Sequence, residues 1–318
     1  MKFFVEGHAW IFEALIGKQT NGNKVWQRAH NYPRIEYSYM HVYTGSPDYI
    51  GNVDALMLNI DFQQGKPKFF RNHVRMGCGF GYVQKPFDRL ENHKDITIGS
   101  HINFGAKLEY MAEFNFSPKL SGDLGFMMLH FSNTLYQAPN LGINLPMLSA
   151  ALTYKIPYKD EDYNRDSIPR FKPDNQFTLN IGFGVKDATH SAGHKYLVAN
   201  FWGDYVRRIT YQSGFGGGFD LFYDSSIRQG KLWSGENPDY FGDIARFGIH
   251  ATYEFIISDV SILQQAGIYL VNSMKADGAI YNRTGIRYHF AKHWAATISM
   301  KAHITRADFF ELSGTYVF

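Results

Sequence analysis

Apolar and polar residues alternate strictly along several segments of the chain, and the clearest of these segments is 101–116. Its even positions are apolar, whereas its odd positions include Lys107 and Glu109. The same alternation is found in 246–255 and in 294–304. Side chains two residues apart on a strand point to the same side, so this period of two predicts β-strands with one apolar face.

Read from end to end, the alternation and the intervening turn residues predict fifteen strands and no long helix. The expected strands are 3–16, 33–44, 51–63, 71–84, 98–116, 120–132, 144–156, 176–187, 196–209, 214–224, 244–257, 260–271, 279–290, 293–304 and 307–318. No linker rich in Pro, Gly or Ser divides them. We therefore expect a single domain over residues 1–318.

A membrane location is compatible with this pattern. The chain has no run of 18 apolar residues, which excludes helical membrane spans, but a membrane-spanning strand needs only about 9–11 alternating residues. One alternating strand also fits a soluble sandwich, whereas the repetition and the length of the strands favour a barrel. We expect an all-β fold, a single antiparallel transmembrane β-barrel of about 14–16 strands. The even residues of 102–116, 120–132 and 144–156 should face the membrane.

The two ends of the sequence give further expectations. The chain finishes on Tyr316-Val317-Phe318, an apolar strand that looks like the closing strand of an outer-membrane barrel. The apolar run after Met1 is interrupted at Glu6, too early for a signal-peptide core. Closed bacterial barrels normally have an even number of strands, so either one of the fifteen assignments is false or a first strand precedes Met1. We favour the second alternative and expect an export signal ahead of Met1.

The strongest candidate for chemistry lies at the end of the strand 120–132. His130 and Ser132 share its even face, with their Cβ atoms about 6.5–7 Å apart. At that distance an imidazole and a hydroxyl can approach each other as base and nucleophile. Asn144 heads the next strand across the loop 133–143, so it should lie beside His130.

These residues carry a resemblance to a known family. Residues 130–133 (His-Phe-Ser-Asn) and 139–144 (Pro-Asn-Leu-Gly-Ile-Asn) resemble the His-x-Ser-Asn motif and the following loop of the PagL-like lipid A 3-O-deacylases, also described as acyloxyacyl hydrolases. The similarity extends upstream through 79–82 and 85–89 and covers roughly 75–156.

The resemblance implies an outer-membrane β-barrel esterase that removes an ester-linked acyl chain from lipid A without a metal or another cofactor. By position, Ser132 is the implied nucleophile and His130 the implied base. Asn140 falls at the asparagine that stabilises the oxyanion in the family, and Asn133 lies beside the nucleophile. The implied partner is lipid A or lipopolysaccharide in the bacterial outer membrane.

One position departs from the family pattern. The family has a Glu twelve residues after the nucleophile, where this chain has Asn144. An Asn can accept a hydrogen bond from the imidazole and hold its tautomer, but it supplies no negative charge to the imidazolium. The alternative function is therefore a catalytically silent outer-membrane barrel that acts as a channel or as a structural subunit of an envelope protein complex.

Other features narrow the function. The net charge of +3 is spread along the chain, so it predicts no nucleic-acid partner. A single cysteine excludes an intrachain disulfide and a zinc site built on several cysteines. Two histidine pairs have a spacing that suits a metal only on a helix, so we expect no metal site. These pairs are His190 with His194 and His289 with His293.

Two sets of charged residues remain. Basic residues in the loop 85–97 either meet lipid phosphates or form a solvated loop, and the solvated loop is favoured. They are Lys85, Arg89 and Lys94. Charged residues at inward positions should form a polar network that plugs the barrel or lines a pore. They are Lys107, Glu109, Glu113, His250, Glu254, Arg283, Arg287, Lys301 and His303.

Overall fold

The protein is described by a computed structural model that covers residues 6–65, 70–156, 163–187, 194–238, 241–304 and 306–318. It has fifteen strands: β1 Trp10–Gln19, β2 Arg34–Tyr43, β3 Asn52–Gln64, β4 Phe70–Val83, β5 Ile102–Asn115, β6 Leu120–Ser132, β7 Ile143–Tyr154, β8 Asp174–Asp187, β9 Lys195–Arg208, β10 Ser213–Asp224, β11 Ala245–Ile257, β12 Val260–Asn272, β13 Ile280–Ala291, β14 Trp294–His303 and β15 Arg306–Val317. The prediction of an all-β, antiparallel barrel fold is confirmed, and most strand ends lie within about two residues of their expected positions.

The helices are short and lie in the connections. Helix α1 spans Val25–Ala29 and α2 spans Ser225–Trp233. The side chain of Asp224 accepts a hydrogen bond of 2.9 Å from the backbone N–H of Ser226 and so caps the first turn of α2. Among the described residues, neither helix has the length and apolar character that crossing a membrane requires.

The strands form two separate sheets in two compact units. The first unit comprises Met1–Asn133 and Pro139–Ile168, and the second comprises Thr134–Ala138 and Pro169–Phe318. In the first unit β1 to β7 pair in chain order, whereas in the second β8 to β15 close into an eight-stranded barrel. The single domain over residues 1–318 stays a prediction, whereas the closed ring contains eight strands rather than the expected 14–16. The reason is that β15 hydrogen-bonds to β8 rather than to β1.

The faces of the strands in the first unit follow the expected parity. Leu124 and Leu148 are 59% and 88% exposed on the outer face, whereas Lys107 and Asp123 are buried on the inner face. Because side chains alternate along a strand, these four positions fix the orientation of β5, β6 and β7. The even residues of these strands therefore face outwards, as the sequence predicts.

The sheet of the first unit is strongly curled. Nζ of Lys107 on β5 lies 2.6 Å from Oε1 of Glu13 on β1, and Arg34 on β2 lies 3.4 Å from Glu113 on β5. Such contacts join strands that are not neighbours in the sheet, so its concave face encloses an interior. One end of that interior is ionic and the other is apolar. The apolar cluster contains Met40, Val42, Ile50, Val53, Ala55, Met57, Val83, Ile98, Met127, Leu129, Phe131 and Ile143.

Phe131 is the largest apolar side chain packed beneath the end of β6, and it is fully buried. A Cβ atom added at Gly81 or at Gly105 would lie 2.6 or 2.8 Å from its ring. The two glycines on β4 and β5 therefore leave the space that the ring fills. This packing holds the last residues of β6, where the candidate chemistry lies, against a rigid interior.

The interior of the second unit is filled by hydrogen-bonded ion pairs. Arg283 contacts Asp220 at 2.7 Å and Glu311 at 2.5 Å, and the ring of His250 lies between Asp204 and Asp220. Buried charges persist when they are paired in this way. The inward-facing residues predicted from the sequence are all buried, which confirms their orientation; they are Lys107, Glu109 and Glu113 in the first unit and His250, Glu254, Arg283, Arg287, Lys301 and His303 in the second. In the eight-stranded barrel this network acts as a plug.

Candidate active site

The candidate site lies at the end of the β6–β7 hairpin in the first unit. His130 on β6 pairs directly with Asn144 on β7, and Ser132 pairs with Phe104 on β5. His130 and Ser132 thus stand on one face of β6, as their spacing predicts. His130 is half-buried, whereas Ser132 is only 2% exposed because the loop that follows the strand covers it.

His130 is oriented by the residue across the hairpin. Its Nδ1 lies 2.8 Å from Oδ1 of Asn144. An amide oxygen only accepts hydrogen bonds, so we assign the ring proton to Nδ1, which leaves Nε2 as an acceptor. This is the tautomer that a general base requires.

Ser132 is held by Asn140 from the loop. Nδ2 of Asn140 donates to Oγ of Ser132 at 2.8 Å, and Oδ1 of Asn140 accepts from the backbone N–H of Asn133 at 3.0 Å. The hydroxyl oxygen therefore accepts a hydrogen bond from an amide that is itself fixed by the backbone. The hydroxyl of Ser132 also donates to Oδ1 of Asn140 at 3.2 Å.

Asn133 is anchored on the other side of the nucleophile. Its Nδ2 donates to Oγ of Ser100 at 2.9 Å, and Ser100 donates in turn to Oδ1 of Asn103. Asn103 is 1% exposed and donates from Nδ2 to the backbone oxygen of Ser100. A chain of hydrogen bonds thus fixes the backbone beside Ser132 to the loop that precedes β5.

The same loop supports the turn that brings Asn140 and Asn144 into place. The backbone N–H of Gly142 donates to the oxygen of Thr97 at 2.9 Å, and Asn140 forms an isolated bridge with Ile98. Gly142 has φ of 77°, which a residue with a side chain adopts only with strain. A Cβ atom there would also lie 2.8 Å from Cε1 of His130.

We expect Gly142→Ala to impair catalysis more than stability. The left-handed conformation should cost about 1–2 kcal/mol for an alanine, and the added methyl group should displace the His130 ring. A misplacement of about 1 Å in a catalytic group costs on the order of 10²-fold in rate. Turnover of an acyl ester by the purified variant measures this effect. Gly314→Ala, where the new Cβ meets open space, is the matched control, and equal rates for the two variants would contradict the expectation.

One buried acid lies in the supporting loop. Asp95 is fully buried, and its Oδ1 accepts hydrogen bonds from the backbone N–H and from Oγ1 of Thr97 at 2.7 and 2.6 Å. Burial raises the pKa of the Asp95 carboxyl, although these hydrogen bonds oppose the rise. Asp95 shapes the turn that presents the oxygen of Thr97 to Gly142.

The structure therefore brings the predicted site residues together as two hydrogen-bonded pairs, His130 with Asn144 and Ser132 with Asn140. Sequence reasoning missed Thr97 and Ser100 as supporting residues: Thr97 lies in a loop without periodicity, and Ser100 was placed in the expected strand 98–116, whereas β5 begins at Ile102. A usable signal was present, since Asp95-x-Thr97 is typical of a turn in which the side chain of an Asp caps the backbone.

The other candidates do not join this site. Within the described chain, no cluster of three or more His, Cys, Asp or Glu is arranged to hold a metal ion. His190 lies outside the described residues. Nδ1 of His293 donates a hydrogen bond to the backbone oxygen of Val317, because a carbonyl oxygen can only accept. Nζ of Lys85 donates to the oxygen of Pro47, which ties it to a neighbouring loop.

Two family models match the chain, and their limits follow the two sheets. The model described as lipid A 3-O-deacylase (PagL) matches residues 12–153, and the model described as acyloxyacyl hydrolase, C-terminal domain, matches residues 175–318. The chain belongs to the PagL-type lipid A deacylase family. The first match contains every residue of the candidate site, and the second covers the eight-stranded barrel of this deacylase-family chain.

Solved structures add little to this assignment. An outer membrane channel from Pseudomonas putida F1 is 11% identical, with 98% of this chain and 93% of that chain covered and a TM-score of 0.22. The siderophore receptor PirA from Pseudomonas aeruginosa is 10% identical, with 98% and 64% covered and a TM-score of 0.20. Neither likeness carries an argument about this PagL-type chain. No curated protein matches it.

Family membership has two consequences. This PagL-type protein is located in the bacterial outer membrane, and its function is of the lipid A deacylase type. The expected membrane-lipid partner belongs to the proposal that follows. The prediction of an envelope protein complex stays a prediction. The roles of Ser132, His130, Asn144, Asn140 and Asn133 belong to the proposal that follows.

Proposed function

We propose that the protein is an outer-membrane esterase that hydrolyses an ester-linked acyl chain of lipid A with Ser132 as nucleophile and His130 as base. The observation that carries the proposal is the 2.8 Å contact between Nδ1 of His130 and Oδ1 of Asn144. It leaves Nε2 of a half-buried imidazole free to accept a proton, two residues from a serine on the same strand face.

In the first step Oγ of Ser132 attacks the ester carbonyl carbon while its proton passes to Nε2 of His130. The tetrahedral intermediate then collapses, the sugar hydroxyl leaves with the proton from His130, and an acyl-serine ester remains. In the second step a water gives a proton to His130 and attacks the acyl-serine, and the resulting tetrahedral intermediate collapses as His130 returns that proton to Oγ of Ser132. The products are a fatty acid and the free Ser132 hydroxyl.

Asn140 and the backbone of Asn133 are the proposed stabilisers of the oxyanion. Nδ2 of Asn140 already lies 2.8 Å from Oγ of Ser132, so a small rotation of its amide brings this donor to the oxygen that develops charge. That rotation also frees the N–H of Asn133 from Oδ1 of Asn140. The two donors would then act together, as oxyanion holes generally require.

The decisive experiment is mass spectrometry of lipid A after incubation with the purified protein in water labelled with ¹⁸O. We expect lipid A to lose the mass of one acyl chain, and the released fatty acid to carry one labelled oxygen, because water attacks the acyl carbon of the acyl-serine. Lipid A of unchanged mass would contradict the proposal and favour the catalytically silent barrel.

A further inference from the structure

A second polar group lies on the outer face of the first unit, on strands β2 and β3. His41 and Asp54 are directly paired across the two strands, and Nδ1 of His41 lies 2.8 Å from Oδ1 of Asp54. The hydroxyl of Tyr39 donates to the same Oδ1 at 2.6 Å. We call these three residues the outer polar patch.

The outer polar patch remains open to a ligand. The side chains of His41 and Asp54 are 31% and 34% exposed. In the described part of the chain, both side-chain hydrogen bonds to Asp54 reach Oδ1. Oδ2 of Asp54 and Nε2 of His41 take no part in these hydrogen bonds. They provide one acceptor and one polar ring nitrogen for a ligand.

Aromatic rings frame the patch on both sides. Trp10 and Tyr43 are stacked with their centroids 5.7 Å apart, and Trp10 also lies 6.1 Å from His41. On the other side, Tyr82 pairs with Asp54 across β3 and β4 and stacks on His101. Exposed aromatic faces beside a carboxylate and an imidazole suit a sugar, which offers hydroxyl donors at its rim and C–H groups on its faces.

Aromatic residues that line the membrane interface do not by themselves explain why Asp54 lies among them. A charged side chain on the lipid-facing side of a barrel costs free energy at the midplane of the membrane and little near the interface. Asp54 lies close to the start of β3, where polar headgroups rather than acyl chains are its neighbours. The acid therefore suits a polar occupant.

The position of the outer polar patch relates it to Ser132. Phe104 pairs with Ser132, and Phe80 pairs with Phe104, so an apolar outer surface connects the nucleophile to β3. Three strand spacings and a two-residue step separate Asp54 from Ser132, about 15 Å along the sheet. One glycolipid with several acyl chains spans such a distance.

We propose that the outer polar patch binds the sugar headgroup of the glycolipid whose acyl ester reaches Ser132. This inference rests on the proposed function. It assigns a binding site to the sugar headgroup, which is the part of lipid A that simple esters lack. Oδ2 of Asp54 accepts a hydrogen bond from a sugar hydroxyl or amide, and Nε2 of His41 contacts a neighbouring oxygen. The apolar surface over Phe80 and Phe104 receives acyl chains.

The test compares two substrates in the same detergent, lipid A and a p-nitrophenyl ester that has no sugar. Asp54→Ala should raise the KM for lipid A about tenfold, the factor of one hydrogen bond to a charged group, and leave its kcat unchanged. It should not change kcat/KM for the aryl ester. Asp48→Ala, which removes an exposed carboxylate in the neighbouring loop, should change neither substrate. Equal losses on both substrates, or no loss on either, would overturn the inference.

A binding measurement separates this inference from the proposed function. If the wild-type protein is inert on both substrates, the esterase proposal fails, and the affinity of Ser132→Ala for lipid A decides the role of the patch. Adding Asp54→Ala should then weaken lipid A binding about tenfold, and unchanged binding would overturn the inference. A soluble glucosamine disaccharide should compete with lipid A for binding, whereas inorganic phosphate should not. Competition by phosphate and none by the disaccharide would also overturn the inference.

Discussion

Replacing Ser132 by alanine is expected to abolish deacylation of lipid A, with a loss on the order of 10⁴- to 10⁶-fold in kcat. The proposed acyl-serine intermediate cannot form without Oγ. The fold should persist, because the hydrogen bonds that the change removes between Ser132 and Asn140 are worth about 1 kcal/mol each. Mass spectrometry of lipid A gives the rate, and circular dichroism during heating gives the stability.

The double variant Ser132→Ala with His130→Ala provides the control for a shared mechanism. When two residues act in the same catalytic step, removal of one already abolishes the contribution of the other. The double variant should therefore be no slower than Ser132→Ala alone. A further large loss in the double variant would mean that His130 acts on a different step. Undiminished activity of Ser132→Ala would place the nucleophile elsewhere.

Asn144→Glu is expected to raise kcat by about tenfold or more, because a carboxylate stabilises the imidazolium that forms on His130, and its loss from a serine–histidine pair costs up to about 10⁴-fold. Asn144 is exposed and is the second residue of β7. A new charge costs little at this position because it lies near the membrane interface.

Asn144→Gln is the matched control for this change, because it has the size of Glu without the charge. We expect Asn144→Gln to be no faster than the wild type, since its amide oxygen can accept a hydrogen bond from Nδ1 of His130, as Asn144 does, but adds no negative charge. If Asn144→Glu and Asn144→Gln behave alike, charge on the imidazole is not the limiting factor, and the Asn is sufficient for this chain.

The strands could be predicted from the sequence because their pattern is local. In β5 the apolar even residues lie on the outer face, whereas Asn103, Lys107, Glu109 and Glu113 at odd positions are buried, so the period of two predicts the strand and its faces directly. The closure of the barrel could not be predicted in this way. Phe183 pairs with Leu312 far along the chain, and no local pattern records which strand is the partner of β8.

The candidate site was predictable for the same reason and to the same extent. His130, Ser132 and Asn144 lie in strands, where parity and hairpin register place them together. Thr97 and Ser100 come from another loop and meet the site only through the curl of the sheet. Helix α2 was missed because its nine residues are too few for a periodic signal, although Asp224 before it is a typical capping residue.

The pairing of β8 with β15 has a consequence for how the second unit is made. β8 is the first strand of the barrel to be synthesised and β15 the last, so the ring cannot close until every other strand of the unit is in place. Contacts between distant parts of a chain form slowly, because a long loop must be ordered first. Arg283 on β13 pairs with Glu311 on β15, so the ionic interior is complete only when β15 is in place. Assembly of this barrel therefore depends on β15, the last strand of the chain, which has twelve residues. Pairing of β15 with β8 converts an open sheet into the closed ring.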